Sequence, residues 1–522
     1  MTDARSGKNA PYDLLIVGGG INGAGIARDA AGRGLRVALV EQGDLAQGTS
    51  SASTKLIHGG LRYLEYYEFS LVRKALMERE VLLAAAPHLI WPLTFVLPHD
   101  KGLRPAWMVR LGLFLYDHLG GRKRLPLSRG VDFRKDPLGA PLKETFVKGF
   151  TYADCWVEDS RLVVLNAMDA RERGAEVLTR TRCESLRREN GLWRVRLQPG
   201  GGAPVYEVSA HAVVNAAGPW VRDVLAGVAR ANRPAGLRLV KGSHLVVPRL
   251  FEGEQAYIFQ NEDRRIIFAI PYERNYTLLG TTDKAWDHTP DEKVEIDAEE
   301  AAYICTSVNR YLKTQVRPED AVWSYSGVRP LFDDDAANLN ASAVTRDYSF
   351  DIDGGEGAAP MLSIFGGKIT TYRKLAEHAL TKLVPLLPES ARSGAGEAWT
   401  ERAHLPGGDI ADADFEAFMR EVRQRHPWLP PELARRYGRA YGTRLDTLIG
   451  EAGDLQGLGR DLGGGLYAAE IDYLVRHEWV ETADDLLWRR SKLGLHVPEG
   501  TAARVADYLH GVDDVKRGAT AG

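Results

Sequence analysis

The chain has 522 residues, room for about two to four domains, and its hydrophobic content of 44% is ordinary for a globular protein. Its 67 basic and 70 acidic residues give a net charge of −3, so bulk charge gives no indication of nucleic acid as a partner. The three cysteines lie too far apart for a disulfide framework or a paired-cysteine metal site. We expect Cys155, Cys183 and Cys305 to be inert thiols.

The sequence carries no signal for export or for crossing a membrane. Its first residues are polar and lack the apolar core of a signal peptide, and no run of about 18 apolar residues occurs. We therefore expect a cytoplasmic protein, or one attached to a membrane surface, in a compartment that keeps thiols reduced.

The first ordered pattern is a βαβ unit. Tyr12–Val17 is typical of a buried parallel strand, Gly18–Gly25 is a glycine-rich loop, Ile26–Gly34 has Ala and Ile at helical spacing, and Leu35–Glu41 is a second apolar strand. A strand, loop, helix and strand within about 30 residues are typical of a nucleotide-binding unit.

The loop contains the G-x-G-x-x-G pattern in Gly18, Gly20 and Gly23. The missing side chains let the backbone turn tightly and approach a pyrophosphate at the positive helix N-terminus, where Asn22 adds a polar contact. Glu41 follows about 20 residues later, and its carboxylate can accept both ribose hydroxyls while repelling a 2′-phosphate. The unit therefore predicts an adenosine dinucleotide other than NADP; the alternative is a tight structural turn.

Two further small-residue turns favour FAD over NAD, because FAD is a long ligand whose site should recur far down the chain. Val213–Trp220 is a strand that runs into such a turn, and Phe365–Thr371 repeats the pattern before a helix whose N-terminus can stabilise negative charge on a reduced flavin. Only one G-x-G-x-x-G stands in a dinucleotide context, so NAD is not indicated. The cofactor contacts predicted in these turns are Ala217, Gly218, Gly366, Gly367, Lys368, Ile369 and Thr370.

The remaining patterns predict a second sheet and a helical tail. Between Lys241 and Gly280, β-branched and aromatic residues alternate with polar ones, which indicates a mostly antiparallel sheet able to cover an active site. Glu65–Ala86 and Tyr372–Leu387 are predicted helices, Pro388–Ala398 is a predicted linker, and residues 400–515 have helical periodicity with few strand signals.

The predicted fold class is therefore α/β, or α+β over the whole chain. A Rossmann-like FAD-binding domain with a parallel sheet is joined to an antiparallel-sheet substrate domain, and an all-helical C-terminal domain follows. The predicted boundaries are 10–395 for the oxidoreductase region and 400–515 for the helical domain, with FAD-binding segments at about 10–80, 150–225 and 340–387 and substrate or cap segments at about 81–149 and 226–339.

A longer motif, Thr49–Leu64 (TSSASTKLIHGGLRYL), carries a resemblance to a family. With it the chain resembles the FAD-dependent, quinone-linked glycerol-3-phosphate dehydrogenases, within the D-amino-acid-oxidase-like flavoproteins. Thr54 stands where serine is expected, a conservative change. Further matching motifs over nearly the whole chain are Lys241–His244, Gly280–Asp283, Tyr325–Pro330, Phe365–Lys368, His477–Trp479 and Asp484–Arg490.

The resemblance implies oxidation of sn-glycerol 3-phosphate to dihydroxyacetone phosphate by hydride transfer to FAD. It also implies delivery of the electrons to ubiquinone or menaquinone from a peripheral position on the inner face of the plasma membrane. The flavin-proximal motif adds predicted cofactor contacts at Ser50, Ser51, Lys55, His58, Gly59 and Gly60.

Arginines suit the substrate phosphate because their planar fork offers paired donors. Arg62 and Arg329, in motifs close to the flavin by resemblance, are the leading phosphate ligands; the alternative for each is a structural ion-pair residue. Tyr63, Lys368 and Thr281 are supporting contacts, and Asp283 is read as part of a turn. His244 is the candidate base, because its ordinary pKa lies near neutrality, with His58 as the rival. No cluster has the spacing of metal ligands.

Leu103–Tyr116 is apolar and aromatic, and Arg122–Arg124 follows it. Such a segment can dip into a bilayer interface, but without the resemblance the pattern favours a core helix. Competing functions are an oxidase that uses oxygen, an amine or amino-acid oxidase, and a non-catalytic flavin-binding partner protein. The helical tail is left open as a docking surface, a homodimer contact or a stabilising cap.

Overall fold

The computed structural model describes residues 10–100, 104–121, 124–229, 237–263, 265–332, 347–354 and 357–520, with only the backbone described at 332 and 512–520. Two sheets and a helical tail account for the described regular structure. The strands are β1 Tyr12–Val17, β2 Val37–Val40, β3 Leu56–Ile57, β4 Ile90–Pro98, β5 Arg129–Asp132, β6 Lys148–Val157, β7 Glu176–Leu178, β8 Thr181–Glu189, β9 Leu192–Pro199, β10 Tyr206–Asn215, β11 Leu237–Pro248, β12 Ala256–Gln260, β13 Ile266–Tyr272, β14 Tyr276–Gly280, β15 Lys284–Ala285, β16 Trp323–Phe332, β17 Ser349–Asp353 and β18 Met361–Phe365.

Helices pack on both sheets and form the tail. They are α1 Ile21–Gly32, α2 Phe69–Ala85, α3 Ala106–Leu119, α4 Asp159–Glu172, α5 Val221–Asp223, α6 Ala298–Tyr311, α7 Tyr372–Leu383, α8 Glu389–Arg392, α9 Phe415–Arg425, α10 Pro431–Tyr441, α11 Leu445–Ile449, α12 Ala468–His477 and α13 Thr501–Thr520. Three short turns near the site are the 3₁₀ segments Leu61–Tyr66 and Ile369–Thr371 and the π-helical Asp485–Arg490.

The first sheet is the predicted nucleotide-binding sheet. Its strand order is β17-β18-β10-β1-β2-β7, and β18, β10, β1, β2 and β7 run parallel. Every residue of β1 and β2 is buried, as expected for parallel strands covered on both faces. Helices α1, α4 and α7 pack together on one face and enclose a core of Leu, Ile, Val and Ala side chains. The predicted Rossmann-like parallel sheet is confirmed.

The second sheet lies over the site with the order β15-β11-β14-β13-β12-β4-β6-β3, and β16 also pairs with β11. All its pairings are antiparallel except β12 with β4, which confirms a mostly antiparallel sheet. The strands β3 and β6 fall within segments predicted to bind FAD, but they pair with each other in this second sheet. The segments that form the two sheets therefore alternate along the chain more often than the predicted boundaries imply.

Three helix predictions need correction. The predicted helix Glu65–Ala86 is interrupted at Tyr67, whose φ is 61°, so a 3₁₀ turn precedes α2. The helix after Thr371 ends at Leu383 because Pro385 has no N–H to continue it, and a 3₁₀ turn replaces its last residues. The core-helix interpretation of 103–116 is wrong, since only Leu113, Tyr116 and Asp117 of α3 are buried. Leu103, Arg122 and Lys123 lie outside the described residues.

The C-terminal region is helical, as predicted, and has an apolar core of its own. It is joined by buried ion pairs to a helix and a loop of the first sheet's domain. Arg161 of α4 pairs with Glu478, and Arg490 pairs with Asp44, all four side chains being at most 3% exposed. A polar contact also reaches the second sheet, where the Tyr276 hydroxyl donates to the carbonyl of Leu495 at 2.9 Å.

Candidate active site

The glycine loop after β1 packs directly on the turn after β10. Gly18 has a left-handed φ of 114°, and a Cβ there would lie 2.5 Å from the carbonyl oxygen of Ala216. A Cβ on Gly23 would lie 1.9 Å from the carbonyl oxygen of Gly18, so α1 approaches β1 this closely only with glycine. Gly20 caps α1 without a side-chain hydrogen bond, which leaves the positive end of the helix without a competing side-chain acceptor. Gly218, φ 55°, faces open space.

Glu41, at the end of the second strand, turns its carboxylate to the glycine loop. Its Oε2 accepts from the N–H of Gly19 and its Oε1 from the N–H of Gly43, both at 2.7 Å. Burial raises the pKa of Glu41 against the lowering effect of these two donors. Each oxygen keeps a second lone pair for a ribose hydroxyl. Nearby, the Ser50 hydroxyl accepts from the N–H of Ile21 at 3.0 Å and so joins the flavin-proximal motif to α1.

The turn after β18 reaches the same place from the other side. Gly366 and Gly367 have left-handed φ values of 75° and 98°, and a Cβ on Gly367 would lie 3.0 Å from Asn22 Nδ2. That amide is 3.4 Å from the carbonyl oxygen of Gly366. The hydroxyl of Thr370 accepts from the N–H of His58 at 3.2 Å, so this turn and the flavin-proximal motif are bonded to each other.

These three turns fit an extended dinucleotide. They lie at the carboxyl ends of the adjacent parallel strands β18, β10 and β1, where open α/β sheets bind their ligands. Among the described residues, Asn22 Oδ1 is buried without a hydrogen-bond partner, so a ligand donor is the partner it lacks. Gly18, Gly20 and Gly23 suit a pyrophosphate, Glu41 a ribose, and the turn at 366–370 the flavin ring.

The flavin-proximal motif crosses from the first sheet to the second. The hydroxyl of Thr49 donates to the carbonyl of Val328 at 2.6 Å, and the hydroxyl of Tyr325 donates to the carbonyl of Ser53 at 2.9 Å. Both partners on the far side belong to β16. The motif therefore ties the nucleotide-binding turns to the strands that carry the candidate catalytic residues.

Lys55, a predicted cofactor contact, places its ammonium in a buried ion pair. Its Nζ lies 2.8 and 2.9 Å from the carboxylate oxygens of Asp159 and donates to the carbonyl of Ser51 at 3.1 Å. Neither charged side chain has any exposure. Burial alone would raise the pKa of Asp159, but the charges of Lys55 and Lys492 and the hydrogen bonds from Lys55 and Ser53 together lower it. The buried ion pair therefore gives Lys55 a structural role in holding the flavin-proximal motif.

Replacing Lys55 by methionine is expected to lower the free energy of unfolding by about 3–5 kcal/mol, because it leaves the Asp159 carboxylate buried and unpaired. Urea unfolding of the purified protein measures this loss. Lys284→Met is the matched control, since its pair with Asp297 is 45% and 39% exposed and should contribute far less to stability. Equal losses in the two variants would contradict the prediction.

His244 lies on β11 in the buried space between the two sheets. Its ring stacks on Tyr325 of β16 with centroids 4.8 Å apart, and its Nε2 is 3.0 Å from the hydroxyl of Thr54. The opposite strand carries Gly280, where a Cβ would lie 2.3 Å from the ring, so glycine makes room for the imidazole. Among the described residues, Nδ1 of His244 has no hydrogen-bond partner.

The electrostatic surroundings keep His244 neutral. Burial lowers the pKa of His244 to about 3, with further lowering by the charges of Lys55 and Arg329. A neutral imidazole carries one N–H and one lone pair, so it can accept a proton at neutral pH.

Arg329 lies on β16 opposite Val240 of β11, four residues along that strand from His244, which is opposite Tyr325. Its Nη2 is 2.5 Å from Asp283 and 3.3 Å from the carbonyl of Thr282, and the side chain is 34% exposed. A Cβ on Gly242 would lie 2.9 Å from both Arg329 Nη2 and the hydroxyl of Thr281, so the glycine lets both side chains pack against the backbone there. The guanidinium is therefore charged, anchored and accessible.

Lys368 and Tyr63, both predicted as supporting substrate contacts, lie next to each other. The ammonium of Lys368 lies 3.8 Å from the centroid of the Tyr63 ring, and a Cβ on Gly60 would lie 2.3 Å from that ring. Arg62 is half-buried in the same 3₁₀ turn, and its guanidinium donates to the hydroxyl of Tyr66 at 3.3 Å. The guanidinium of Arg62 is therefore directed along its own turn and not toward Arg329.

The roles of two residues next to the candidate catalytic residues were not predicted from the sequence. Asp283 is the ion-pair partner of Arg329 rather than only a turn residue, and the hydroxyl of Thr54 is the partner of His244. Both stand in the quoted motifs, but their roles depend on pairing between segments far apart in sequence. Among the described residues, no group of three or more His, Cys, Asp or Glu is placed to hold a metal ion.

Comparisons with known proteins agree with this geometry. The family model described as FAD dependent oxidoreductase matches residues 13–373, and that of the C-terminal domain of alpha-glycerophosphate oxidase matches 398–512. A glycerol-3-phosphate dehydrogenase of Pseudomonas aeruginosa is 55% identical over 95% of both chains. A D-erythritol 1-phosphate dehydrogenase of Brucella abortus is 54% identical over 95% of this chain and 97% of its own.

A solved structure extends the likeness to the whole fold. The glycerol-3-phosphate dehydrogenase from Bacillus halodurans, complexed with FAD, superposes with a TM-score of 0.71 at 28% identity over 96% of this chain and 94% of that one. The fold and site define a flavoprotein of the Rossmann-like oxidoreductase class. The chain belongs to the FAD-dependent oxidoreductase family, in the branch that also carries the alpha-glycerophosphate oxidase C-terminal domain. The predicted cofactor, FAD, is thereby confirmed.

Proposed function

We propose that this protein oxidises sn-glycerol 3-phosphate to dihydroxyacetone phosphate. The observation that carries the proposal is the placement of an accessible arginine, Arg329, and a neutral buried histidine, His244, on two paired strands beside the flavin-proximal motif. The arginine suits a phosphate dianion and the histidine suits the proton of a hydroxyl group. The names of the relatives from Pseudomonas aeruginosa and Bacillus halodurans support the same substrate.

The residues divide the work of oxidising the C2 alcohol to a ketone, which removes two electrons and two protons in all. When bound, FAD supplies the two-electron acceptor. Arg329 binds the phosphate, and Asp283 orients its guanidinium. We assign His244 the tautomer in which Nε2–H donates to the hydroxyl of Thr54, 3.0 Å away, because this tautomer leaves the lone pair of Nδ1 to take the C2 hydroxyl proton. The remaining proposed substrate contacts are Arg62, Tyr63, Lys368 and Thr281.

D-erythritol 1-phosphate is the second candidate substrate. The relative named for it is 54% identical to this chain, against 55% for the Pseudomonas aeruginosa glycerol-3-phosphate dehydrogenase. The two substrates share a phosphate and a secondary alcohol, so the same arginine and histidine serve both. One additional carbon in the chain changes binding by about 1–3 kcal/mol in a fitted pocket.

Anaerobic mixing of the FAD-loaded enzyme with each substrate tests the proposal. We expect glycerol 3-phosphate to bleach the flavin absorbance with a kcat/KM at least about tenfold above that of D-erythritol 1-phosphate. The reverse ratio would assign the second substrate. Bleaching by sarcosine or an amino acid, with indifference to both phosphates, would overturn the reaction class.

An exposed apolar surface supports a membrane-bound electron acceptor. We define the aromatic patch as the exposed side chains of the 61–69 segment and α3, which pack beside each other: Tyr66, Tyr67, Phe69, Trp107, Leu111 and Phe114. Basic Arg73 and Lys74 stand exposed on the adjoining α2. Apolar residues beside cations suit the surface of an anionic bilayer. No helix of the described residues is long and apolar enough to cross a membrane.

The inner face of α3 supports delivery of electrons at this patch. The hydroxyl of Tyr116 accepts from the N–H of Gly59, in the flavin-proximal motif, at 2.8 Å and donates to Asp154 at 2.7 Å. Helix α3 thus contacts the flavin-proximal motif on its inner face and carries part of the aromatic patch on its exposed face. We accordingly propose ubiquinone or menaquinone as the acceptor and the inner face of the plasma membrane as the location, with oxygen as the less favoured acceptor. A homodimer stays a prediction.

The double variant Trp107→Ser/Phe114→Ser is expected to bind vesicles of phosphatidylethanolamine and phosphatidylglycerol at least about tenfold more weakly, because each lost side chain contributes about 1.5–3 kcal/mol when buried. Co-sedimentation measures the binding, and reduction of a water-soluble dye should be retained. Leu386→Ser is the control, since Leu386 is 48% exposed outside the patch and should not affect binding. Unchanged vesicle binding in the double variant would place the membrane contact elsewhere.

A further inference from the structure

Five charged residues form a cluster where the C-terminal domain meets the first sheet. Arg490 and Arg489 lie 2.7 and 2.5 Å from Asp44, and Asp485 lies 2.5 Å from Arg180 and also pairs with Arg489. Asp44 and Arg180 come from the nucleotide-binding sheet, whereas the other three come from the π-helical turn Asp485–Arg490. The cluster belongs neither to the catalytic site nor to the core of either domain.

Arg490 is the most deeply buried arginine of this cluster. Its Nη1 and Nη2 lie 2.8 and 2.7 Å from the two carboxylate oxygens of Asp44, a two-pronged pair. Its Nε and Nη2 also donate to the carbonyl of Glu478 at 2.9 and 2.6 Å. The side chains of Arg490 and Asp44 are 0% and 1% exposed. Pairs this buried are geometrically demanding, so the position of Asp44 is set by the C-terminal domain.

Asp44 lies in the loop that presents Glu41 to the adenosine. Gly43 N–H donates to Glu41 Oε1 at 2.7 Å, and the N–H of Ala46 donates to the carbonyl of Gly19 in the glycine loop at 3.1 Å. From the opposite side, the N–H of Arg180 donates to the carbonyl of Gly43 at 2.8 Å. The loop is thus bonded to the pyrophosphate-binding turn and held at Asp44 by a different domain.

We propose that the C-terminal domain secures the adenosine half of FAD, with Arg490 acting as a positioning residue through Asp44. Arg490 does not touch the cofactor site itself. It fixes the loop from which Glu41 accepts the ribose hydroxyls, and Arg489 reinforces the same carboxylate. This role rests on the assignment of Glu41 to the ribose, and it is separate from substrate oxidation.

The merely structural alternative is that Arg490 only joins two domains. Arg161 offers a matched comparison, because it pairs with Glu478 at the same boundary, is 3% exposed, and donates to the carbonyl of Ala440 at 2.6 Å. It lies on α4, and its ion pair is with Glu478, whereas Arg490 pairs with Asp44 of the Glu41 loop. Both arginines should therefore contribute to stability, whereas only Arg490 should affect the nucleotide.

The experiment is titration of the apoprotein of Arg490→Met, Arg161→Met and Glu41→Gln with FAD and with ADP, which carries the adenosine and pyrophosphate alone. We expect both arginine variants to unfold at lower urea concentration. Only Arg490→Met and Glu41→Gln should raise the Kd of both ligands, by about tenfold or more. Arg489→Met, at a residue 18% exposed, should fold readily and raise both constants severalfold.

The outcomes separate the possible failures. Unchanged Kd values in Arg490→Met, or in Arg489→Met where Arg490→Met does not fold, overturn the proposal if Glu41→Gln still weakens ADP binding. An equal rise in Arg161→Met makes Arg490 a general domain contact and also overturns it. If Glu41→Gln leaves ADP binding unchanged, the ribose assignment fails, and the proposal fails with it.

Discussion

Arg329→Ala is expected to lower kcat/KM for glycerol 3-phosphate by about 10²–10³-fold while FAD stays bound. The guanidinium is a partly exposed charged group of the second sheet, packed against Gly242, and paired N–H bonds to a phosphate contribute several kcal/mol. Because Arg329 lies on β16 and not in a nucleotide-binding turn, the loss should appear in flavin reduction and not in flavin content. Stopped-flow absorbance of the anaerobic enzyme measures both.

Arg310→Ala controls for the loss of an arginine as such. Its side chain is 36% exposed and pairs with Asp100 at 2.6 Å, which closely resembles the Arg329–Asp283 pair, but it lies on α6. Arg310→Ala should keep kcat/KM within about twofold, as for an exposed ion pair. If Arg329→Ala reduced its flavin at a rate within a few-fold of wild type, the phosphate would have to be bound elsewhere, with Arg62 and Lys368 as the next residues to change.

The nucleotide half of the site was predictable because its chemistry is local in sequence. Glycine is required where φ is 114°, as at Gly18, or where a Cβ would lie 1.9 Å from a carbonyl oxygen, as at Gly23, and it therefore stands at a fixed position between a strand and a helix. Glu41 follows at a spacing set by the length of α1. The same reasoning located the turn at 366–370, where Gly366 and Gly367 are left-handed.

The rest depended on which distant segments meet, and no local pattern carries that information. Lys55 stands in the flavin-proximal motif, yet its charge is neutralised by Asp159, about a hundred residues away. Asp283 looked like a turn residue because its partner Arg329 joins it only through strand pairing. The apolar composition of α3 favoured burial, but composition does not tell which face another element covers. Which charged side chains pair, and which helix faces stay exposed, is decided only when distant segments pack together.

His244→Ala is expected to slow flavin reduction by about 10²–10³-fold, the usual contribution of a positioned base, with a KM change of only a few-fold. The imidazole accepts the C2 hydroxyl proton but contributes little to phosphate binding, which belongs to Arg329. His211→Ala is the control, since His211 lies on β10 outside the catalytic strands and should leave the rate unchanged. An unchanged rate in His244→Ala would remove it as the base and direct attention to His58.

The pH dependence gives the sharper test of His244. Burial, with the charges of Lys55 and Arg329, lowers its pKa to about 3, so the free enzyme holds the imidazole in its base form throughout the neutral range. A dianionic phosphate bound at Arg329 offsets one of those charges and raises the pKa in the complex. Single-turnover reduction at saturating substrate should therefore fall with acid at a midpoint above 3 but below the ordinary value of about 6.5. Because this limb is the protonation of one ring, it should vanish in His244→Ala; a limb that persisted unchanged would belong to another group.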